Sequence, residues 1–167
     1  MELLTGINEW IDSLSGTTEG TFWATFLMSM LPVAELRLGL PYGIAKGLSV
    51  PMAWLASIAG NMLPVPFLIL FTRPVFRWMR THIPALGGLV DRLERKAESH
   101  REAVLKYKFW GLMILVAIPL PGTGAWTGAL VATVMDLRMK SALPSIFLGV
   151  VGAAAIVTLL TLGIIAL

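Results

Sequence analysis

Two residues that could do chemistry, Glu35 and Arg37, lie in an apolar stretch broken by Pro32 and Pro41. A carboxylate in such surroundings can take up a proton or a cation, and a guanidinium can balance that charge or bind an anion. Alternatively, the two residues form an ion pair with each other or with the other half of the chain. Such a pair would only hold the segment in place. The functional interpretation is favoured, because an ionisable group inside a membrane costs at least about 2.5 kcal/mol and usually marks a substrate or ion path.

A second broken segment lies between Ile118 and Ala129. Its prolines end the preceding helix, its glycines permit a tight turn, and its last residues can open a new helix whose free N–H groups would face an anion. It can also serve as a packing turn, in which Gly124 and Gly128 let two helices approach closely. The two interpretations are compatible. The site residues predicted in this segment are Pro121, Gly122, Thr123, Gly124, Trp126 and Thr127.

Membrane helices are expected to position these residues. Of the 167 residues, 56% are hydrophobic and 14% charged, whereas soluble domains average about 25% charged residues. The stretches Met52–Phe71 and Leu143–Leu167 can each cross a hydrocarbon core of about 30 Å. Asn61 lies early in the first, and we expect its amide to bond a neighbouring helix and support the site. Apolar runs around the breaks are shorter, which favours re-entrant segments over simple spans.

Basic residues set the expected topology. The stretch 73–108 holds nine bases and four acids, so we place it in the cytoplasm. If both broken stretches are re-entrant, Arg138 and Lys140 also lie inside and only Lys46 lies outside. If both cross fully, all three lie outside. The re-entrant topology is preferred, and full crossing stays open.

The stretch 73–108 also has an amphipathic pattern, which predicts a helix on the cytoplasmic surface. Asp91 and Arg95 are spaced to pair along it. We favour a solvated connector over a contact with anionic lipid. The apolar positions are Leu86, Leu89, Val90, Leu93 and Ala97, and the bases of the lipid interpretation are Arg92, Arg95, Lys96 and Arg101.

An internal repeat relates the two halves. A shift of 89 positions places proline on proline and glycine on glycine at three points, namely Pro32 on Pro121, Gly39 on Gly128 and Gly60 on Gly149. In the preferred topology the halves have opposite orientations, as in transporters whose discontinuous helices meet near the midplane. Breaks in hydrocarbon persist only where protein or a water-filled cavity receives the backbone polar groups.

The predicted fold class is therefore an all-α integral membrane protein. Two re-entrant broken-helix hairpins, each followed by a transmembrane helix, form an inverted repeat. The single membrane domain, 1–167, comprises repeat 1 at about 22–72, the amphipathic linker 73–108 and repeat 2 at about 110–167.

Several function classes are not expected. The chain has no cysteine, and its two histidines, His82 and His100, lie in the charged middle, so we predict no disulfide, metal or cofactor. No serine-hydrolase, metalloprotease or nucleotide-binding motif is present, and we predict no enzyme activity. The stretch 1–20 carries acids and no base, so no cleaved signal is expected.

Three segments resemble the prokaryotic small multi-drug export protein family: Glu35–Arg37 with Pro41, Gly60–Pro66, and Pro119–Gly128 with the sequence PLPGTGAWTG. The resemblance covers most of 29–167 and implies a multi-pass exporter of the prokaryotic cytoplasmic (inner) membrane. That family is similar to the DedA superfamily, whose members include proposed lipid-carrier flippases and proton-coupled transporters with two re-entrant hairpins.

The resemblance to the DedA superfamily is partial. Glu35 matches the acidic position of the DedA-type first hairpin. Gly124, Ala125 and Trp126 occupy the region where the second DedA hairpin carries an arginine, which argues against flipping of a phosphate carrier.

We accordingly expect a small transporter or exporter with a midplane site at the two broken hairpins, in which Glu35 takes up a coupling proton or cation and Arg37 balances it or binds an anion. The first alternative is a flippase or scramblase of an anionic, polyprenyl-phosphate-type lipid, and the second is a non-transporting structural membrane subunit. Expected partners are the lipid bilayer, a small molecule or anionic lipid, and a second copy in a homodimer, with no nucleic acid.

Overall fold

The computed structural model describes residues 17–83, 87–99, 109–120 and 122–165, and all regular secondary structure in that part of the chain is helical. This confirms the predicted all-helical class. The predicted site residue Pro121 lies outside the described residues, as do Leu86, His100, Arg101 and the stretch 1–16. The helices are α1 Thr18–Met30, α2 Glu35–Ala45, α3 Val50–Met62, α4 Pro64–His82, α5 Gly87–Glu98, α6 Phe109–Ala117, α7 Ala125–Val134 and α8 Met139–Ile165.

Two helical stretches are long and apolar enough to cross a bilayer. Val50–His82, which joins α3 and α4 with only Leu63 between them, has 33 residues and a mean hydropathy of 1.7, and Met139–Gly163 of α8 has 25 residues and a mean hydropathy of 2.4. Pro64 is tolerated at the start of α4, where a backbone N–H would have no helical acceptor. The helix continues past its predicted end at Phe71 to His82.

The chain divides into two compact units, Met1–Asn61 with Ala154–Leu167, and Met62–Ala153. In the first unit, α1 and α2 form an antiparallel hairpin. A Cβ added to Gly39 would collide with the Ser29 hydroxyl, and one added to Gly43 would lie 2.7 Å from Thr25 Oγ1. The two helices therefore pack with their backbones close together.

In the second unit, α6 and α7 form the other hairpin, and α5 packs against α4 and α7. Val90 and Ala97 of α5 are 0% and 1% exposed. The amphipathic helix is therefore confirmed for its described residues, and one of its faces is buried. The interpretation as a solvated connector stays a prediction. Asp91 pairs with Arg80 of α4 at 2.8 Å rather than with Arg95 as predicted.

The 89-residue repeat recurs in the local backbone. The N–H of Leu48 donates to the Gly43 carbonyl at the end of α2, and the N–H of Leu137 donates to the Ala132 carbonyl at the end of α7, both at 2.9 Å. Gly47, the residue before Leu48, has φ 91°, and its counterpart Asp136, the residue before Leu137, has φ 55°. Both helices thus end in a Schellman motif with a left-handed residue at the same repeat position.

The helix after each hairpin approaches it through a glycine. A Cβ on Gly60 of α3 would collide with the Phe26 carbonyl of α1. Its counterpart Gly149 of α8 lies against α6, where an added Cβ would be 2.7 Å from the Met113 carbonyl and 2.6 Å from Val116 Cβ. Each half therefore repeats one supersecondary unit, a helical hairpin followed by a helix that lies against the backbone of the hairpin's first helix.

Candidate functional site

Glu35 opens α2 directly after the first break. Its N–H donates to the Leu31 carbonyl at 2.9 Å, its φ is 47°, and it is only 6% exposed. A non-glycine residue in the left-handed region costs roughly 1–2 kcal/mol. The first break therefore holds a buried acidic residue whose backbone is strained.

Arg37 follows on the same turn of α2. It is half-buried, and its guanidinium is attracted by the Glu35 carboxylate. Pro41 lies inside the helix and has no N–H to donate to the Arg37 carbonyl four residues earlier. The three predicted residues thus lie within two turns of one helix, next to the break.

Four polar atoms of the first unit are buried without a hydrogen-bond partner in the described chain: Ser29 Oγ, Tyr42 OH, Ser57 Oγ and Asn61 Oδ1. They belong to α1, α2 and α3 of the first unit. Such atoms are rare in native proteins, and each costs about 1–3 kcal/mol. The expectation that Asn61 bonds a neighbouring helix is therefore wrong for its carbonyl oxygen.

The second repeat carries aliphatic residues at these four positions. Ser29, Tyr42, Ser57 and Asn61 correspond to Ile118, Val131, Ile146 and Val150 at the 89-residue shift. The last three of these are 0%, 0% and 1% exposed. The repeated architecture therefore packs well without polar groups there, and the polar side chains of the first repeat are not required by the fold.

At the second break, side-chain hydroxyls of the segment donate hydrogen bonds to its own backbone carbonyls. Thr123 Oγ1 donates to the Ile118 and Leu120 carbonyls at 2.7 and 2.9 Å, and Thr127 Oγ1 donates to the Gly122 carbonyl at 2.9 Å. Gly122 has φ 86° and Gly124 has φ 132°, values that favour glycine. These contacts support the packing-turn interpretation of this segment.

Packing at the second break involves two further contacts within the second unit. Gly128 lies against Val116, 2.6 Å from the position of an added Cβ, so a small residue is required between α6 and α7 as predicted. Lys96 of α5 brings its Nζ to 2.7 Å from the Cβ position of Gly122. The amphipathic helix therefore carries a cation to the second break.

The predicted site residues fall in different units. Glu35, Arg37, Pro41 and Asn61 lie in the first, whereas Gly122, Thr123, Gly124, Trp126 and Thr127 lie in the second. Sequence reasoning missed Ser29, Tyr42 and Ser57. The 89-residue shift could have found them, since each falls opposite an aliphatic residue.

Comparison with known proteins identifies the family. The family model described as "Putative small multi-drug export protein" matches residues 35–156. No curated protein and no solved structure matches the chain. The match begins at Glu35 and includes Arg37, Pro41, Asn61 and the whole second break. It extends over most of the chain, and its description agrees with the resemblance found in the sequence. The chain therefore belongs to the small multi-drug export protein family.

Proposed function

We propose that the chain moves a small molecule across the membrane along a path that passes the first break, with Glu35 as the proton-carrying residue. The observations that support this are four buried polar atoms without partners among the described residues and a buried glutamate, all in the first unit. In a membrane, polar groups and helix breaks persist where they line a cavity for substrate or water. Their aliphatic counterparts in the second repeat argue against a purely structural role.

The re-entrant, inverted-repeat topology is part of this proposal. The hairpin helices α1, α2 and α7 have 13, 11 and 10 residues. At 1.5 Å per residue they reach roughly 15–20 Å, about half to two thirds of a hydrocarbon core. Such helices suit hairpins that enter and leave on the same side, as preferred from the distribution of basic residues.

In the proposed cycle, Glu35 binds a proton from one side and releases it when substrate occupies the polar path. The Glu35 carboxylate attracts the Arg37 guanidinium, and in the proposed cycle protonation of Glu35 removes that attraction. Arg37 is then available to an anionic group of the substrate or to solvent. The carboxylate thereby couples proton movement to the state of the first break.

Flipping of an anionic lipid is the second candidate. The tip of the first hairpin is apolar and open, with Val33 91% exposed and Leu38 57% exposed. Arg37 lies next to Leu38 and is half-buried. A lipid headgroup could reach the guanidinium past such a surface without crossing water.

Proteoliposomes separate these functions. Efflux of a fluorescent lipophilic cation, ethidium, is followed under a proton gradient, and movement of a fluorescent phosphatidylglycerol is followed by dithionite quenching. If the chain is a proton-coupled exporter, Glu35→Gln should lower the rate of ethidium efflux at least about tenfold, because the variant cannot exchange a proton at this position. Glu19→Gln is the matched control, because Glu19 is exposed in the first turn of α1.

Lipid flipping predicts instead that phosphatidylglycerol moves and that Arg37→Ala stops it. Full transport of both probes by Glu35→Gln and Arg37→Ala would contradict a functional role of the first break and leave the pair as a structural lock.

A further inference from the structure

A cleft of about 910 Å³ lies within the second unit, and no residue of the first break lines it. Its walls are α4, α5 and the end of α7. This volume is in the usual range for a small-molecule site, about 300–1,000 Å³. Its lining includes four arginines, namely Arg73, Arg77, Arg80 and Arg95.

The α4 wall of the cleft has two different faces. Arg73, Arg77 and Arg80 recur at helical spacing and line the cleft. Apolar side chains recur at the same spacing on the opposite side of the helix, and they are exposed: Phe71 by 56%, Val75 by 45% and Trp78 by 54%. Exposed aromatic residues at the end of a membrane helix usually mark the headgroup level. We therefore expect the arginines to lie at the depth of lipid phosphates.

The four arginines differ in how far their charge is already neutralised. Arg80 pairs with Asp91 at 2.8 Å and with Glu94 at 2.7 Å. Arg73 pairs with Asp136 at 2.7 Å and also donates to the Thr133 carbonyl.

Arg77 and Arg95 are different. Neither guanidinium has an ion pair or side-chain hydrogen bond among the described residues. The remaining carboxylate of the lining, Glu98, has other interactions. Among the described residues, the cleft therefore contains two guanidinium groups without an ion pair, Arg77 of α4 and Arg95 of α5.

We propose that this cleft binds a phosphate group, with Arg77 and Arg95 as its two cationic ligands. A guanidinium presents paired N–H groups that match phosphate oxygens, and two guanidinium groups neutralise a phosphate better than one. At headgroup depth the phosphate would belong to an anionic lipid, whereas a soluble phosphate could enter from the aqueous side. The site shares no residue with the proposed transport path.

The test measures thermal unfolding of the detergent-purified chain by tryptophan fluorescence, with three titrants. These are dioleoylphosphatidylglycerol, dioleoylglycerol, which has the same chains without phosphate, and inorganic phosphate. The variant Arg77→Gln with Arg95→Gln is compared with Arg92→Gln plus Arg138→Gln. The control pair removes the same charge from exposed positions outside the cleft lining.

The proposal predicts that phosphatidylglycerol raises the unfolding temperature of the wild type and of the control pair, and that dioleoylglycerol does not. The Arg77/Arg95 variant should need at least about ten times more phosphatidylglycerol for the same shift. If inorganic phosphate alone gives the shift and the same variant loses it, the site stands and its ligand is a soluble phosphate. Equal responses of the two double variants, or stabilisation by dioleoylglycerol, would overturn the proposal.

If the Arg77/Arg95 variant does not fold, Arg77→Lys is compared with Arg92→Lys. Both keep the charge, but only the first loses paired donors in the cleft, so only the first should weaken the response.

Discussion

Glu35 and Gly124 occupy the same position of the 89-residue repeat, and both have positive φ, 47° and 132°. The second repeat meets this backbone requirement with glycine, which adopts such values at little cost. The first repeat meets it with a buried carboxylate. A strained non-glycine residue at a position where its counterpart is glycine is best explained by function.

Replacement of Glu35 by glycine should therefore separate stability from activity. We expect Glu35→Gly to unfold at the same temperature as the wild type or higher, because glycine relieves roughly 1–2 kcal/mol of backbone strain and no carboxylate is buried. Ethidium efflux should be lost. Glu35→Ala keeps the strained backbone and should be less stable than Glu35→Gly. A Glu35→Gly variant that is strongly destabilised would show that the carboxylate is a structural partner.

Reciprocal exchange at Asn61 and Val150 tests the asymmetry between the repeats. Asn61→Val should raise stability by about 1 kcal/mol, because a buried oxygen without a partner is removed, and should reduce transport. Val150→Asn should cost about 1–3 kcal/mol, because it buries an amide in a packed position. Both are measured by thermal unfolding in one detergent. A loss of stability in Asn61→Val would indicate that its amide is satisfied in the folded protein.

Close backbone packing in the first repeat predicts a strong effect at Gly60. A Cβ there meets the Phe26 carbonyl, whereas nothing lies within 4 Å of a Cβ on Gly163. Gly60→Ala should cost about 1–3 kcal/mol through overpacking. Gly163→Ala should be neutral or stabilising by up to about 1 kcal/mol, since alanine favours helix. Equal unfolding temperatures for the two variants would contradict the close α1–α3 approach.

The end of α7 predicts a preference for glycine at Asp136. This residue has φ 55° and pairs with Arg73 through an exposed contact, which contributes at most about 1 kcal/mol. Asp136→Gly should be close to neutral, because relief of the left-handed backbone offsets the lost pair. Asp136→Val should cost about 1–2 kcal/mol. If the glycine variant is the less stable of the two, the left-handed Schellman position is incorrect.

Much of the architecture could be predicted from residue patterns. Runs of apolar residues indicate both long helices, and the paired prolines and glycines indicate the 89-residue repeat. The extension of α4 to His82 was missed because Arg73, Arg77 and Arg80 suggest an aqueous loop. They lie on one face of a helix whose other face is apolar. The two faces can be recognised in the sequence only when residues are grouped by the 3.6-residue period of a helix.

The site was predicted less completely. Glu35 and Arg37 are conspicuous because charge is rare in apolar stretches. Ser29 and Ser57 are not conspicuous, since most helix hydroxyls bond to a carbonyl one turn earlier, as Thr25 does to Thr21 at 2.8 Å. Whether a hydroxyl finds such an acceptor depends on side-chain conformation and packing, which residue types alone do not determine.

The central claim is that the first repeat contains a polar path and the second does not. We would replace Ser57, Asn61, Ile146 and Val150 singly by cysteine in this cysteine-free chain and measure modification by a small thiol reagent in membranes. Thiols react as thiolates, which form only where water reaches them. We expect modification at positions 57 and 61 and protection at positions 146 and 150. Protection at all four positions would show that the first repeat is sealed, and would contradict transport past Glu35.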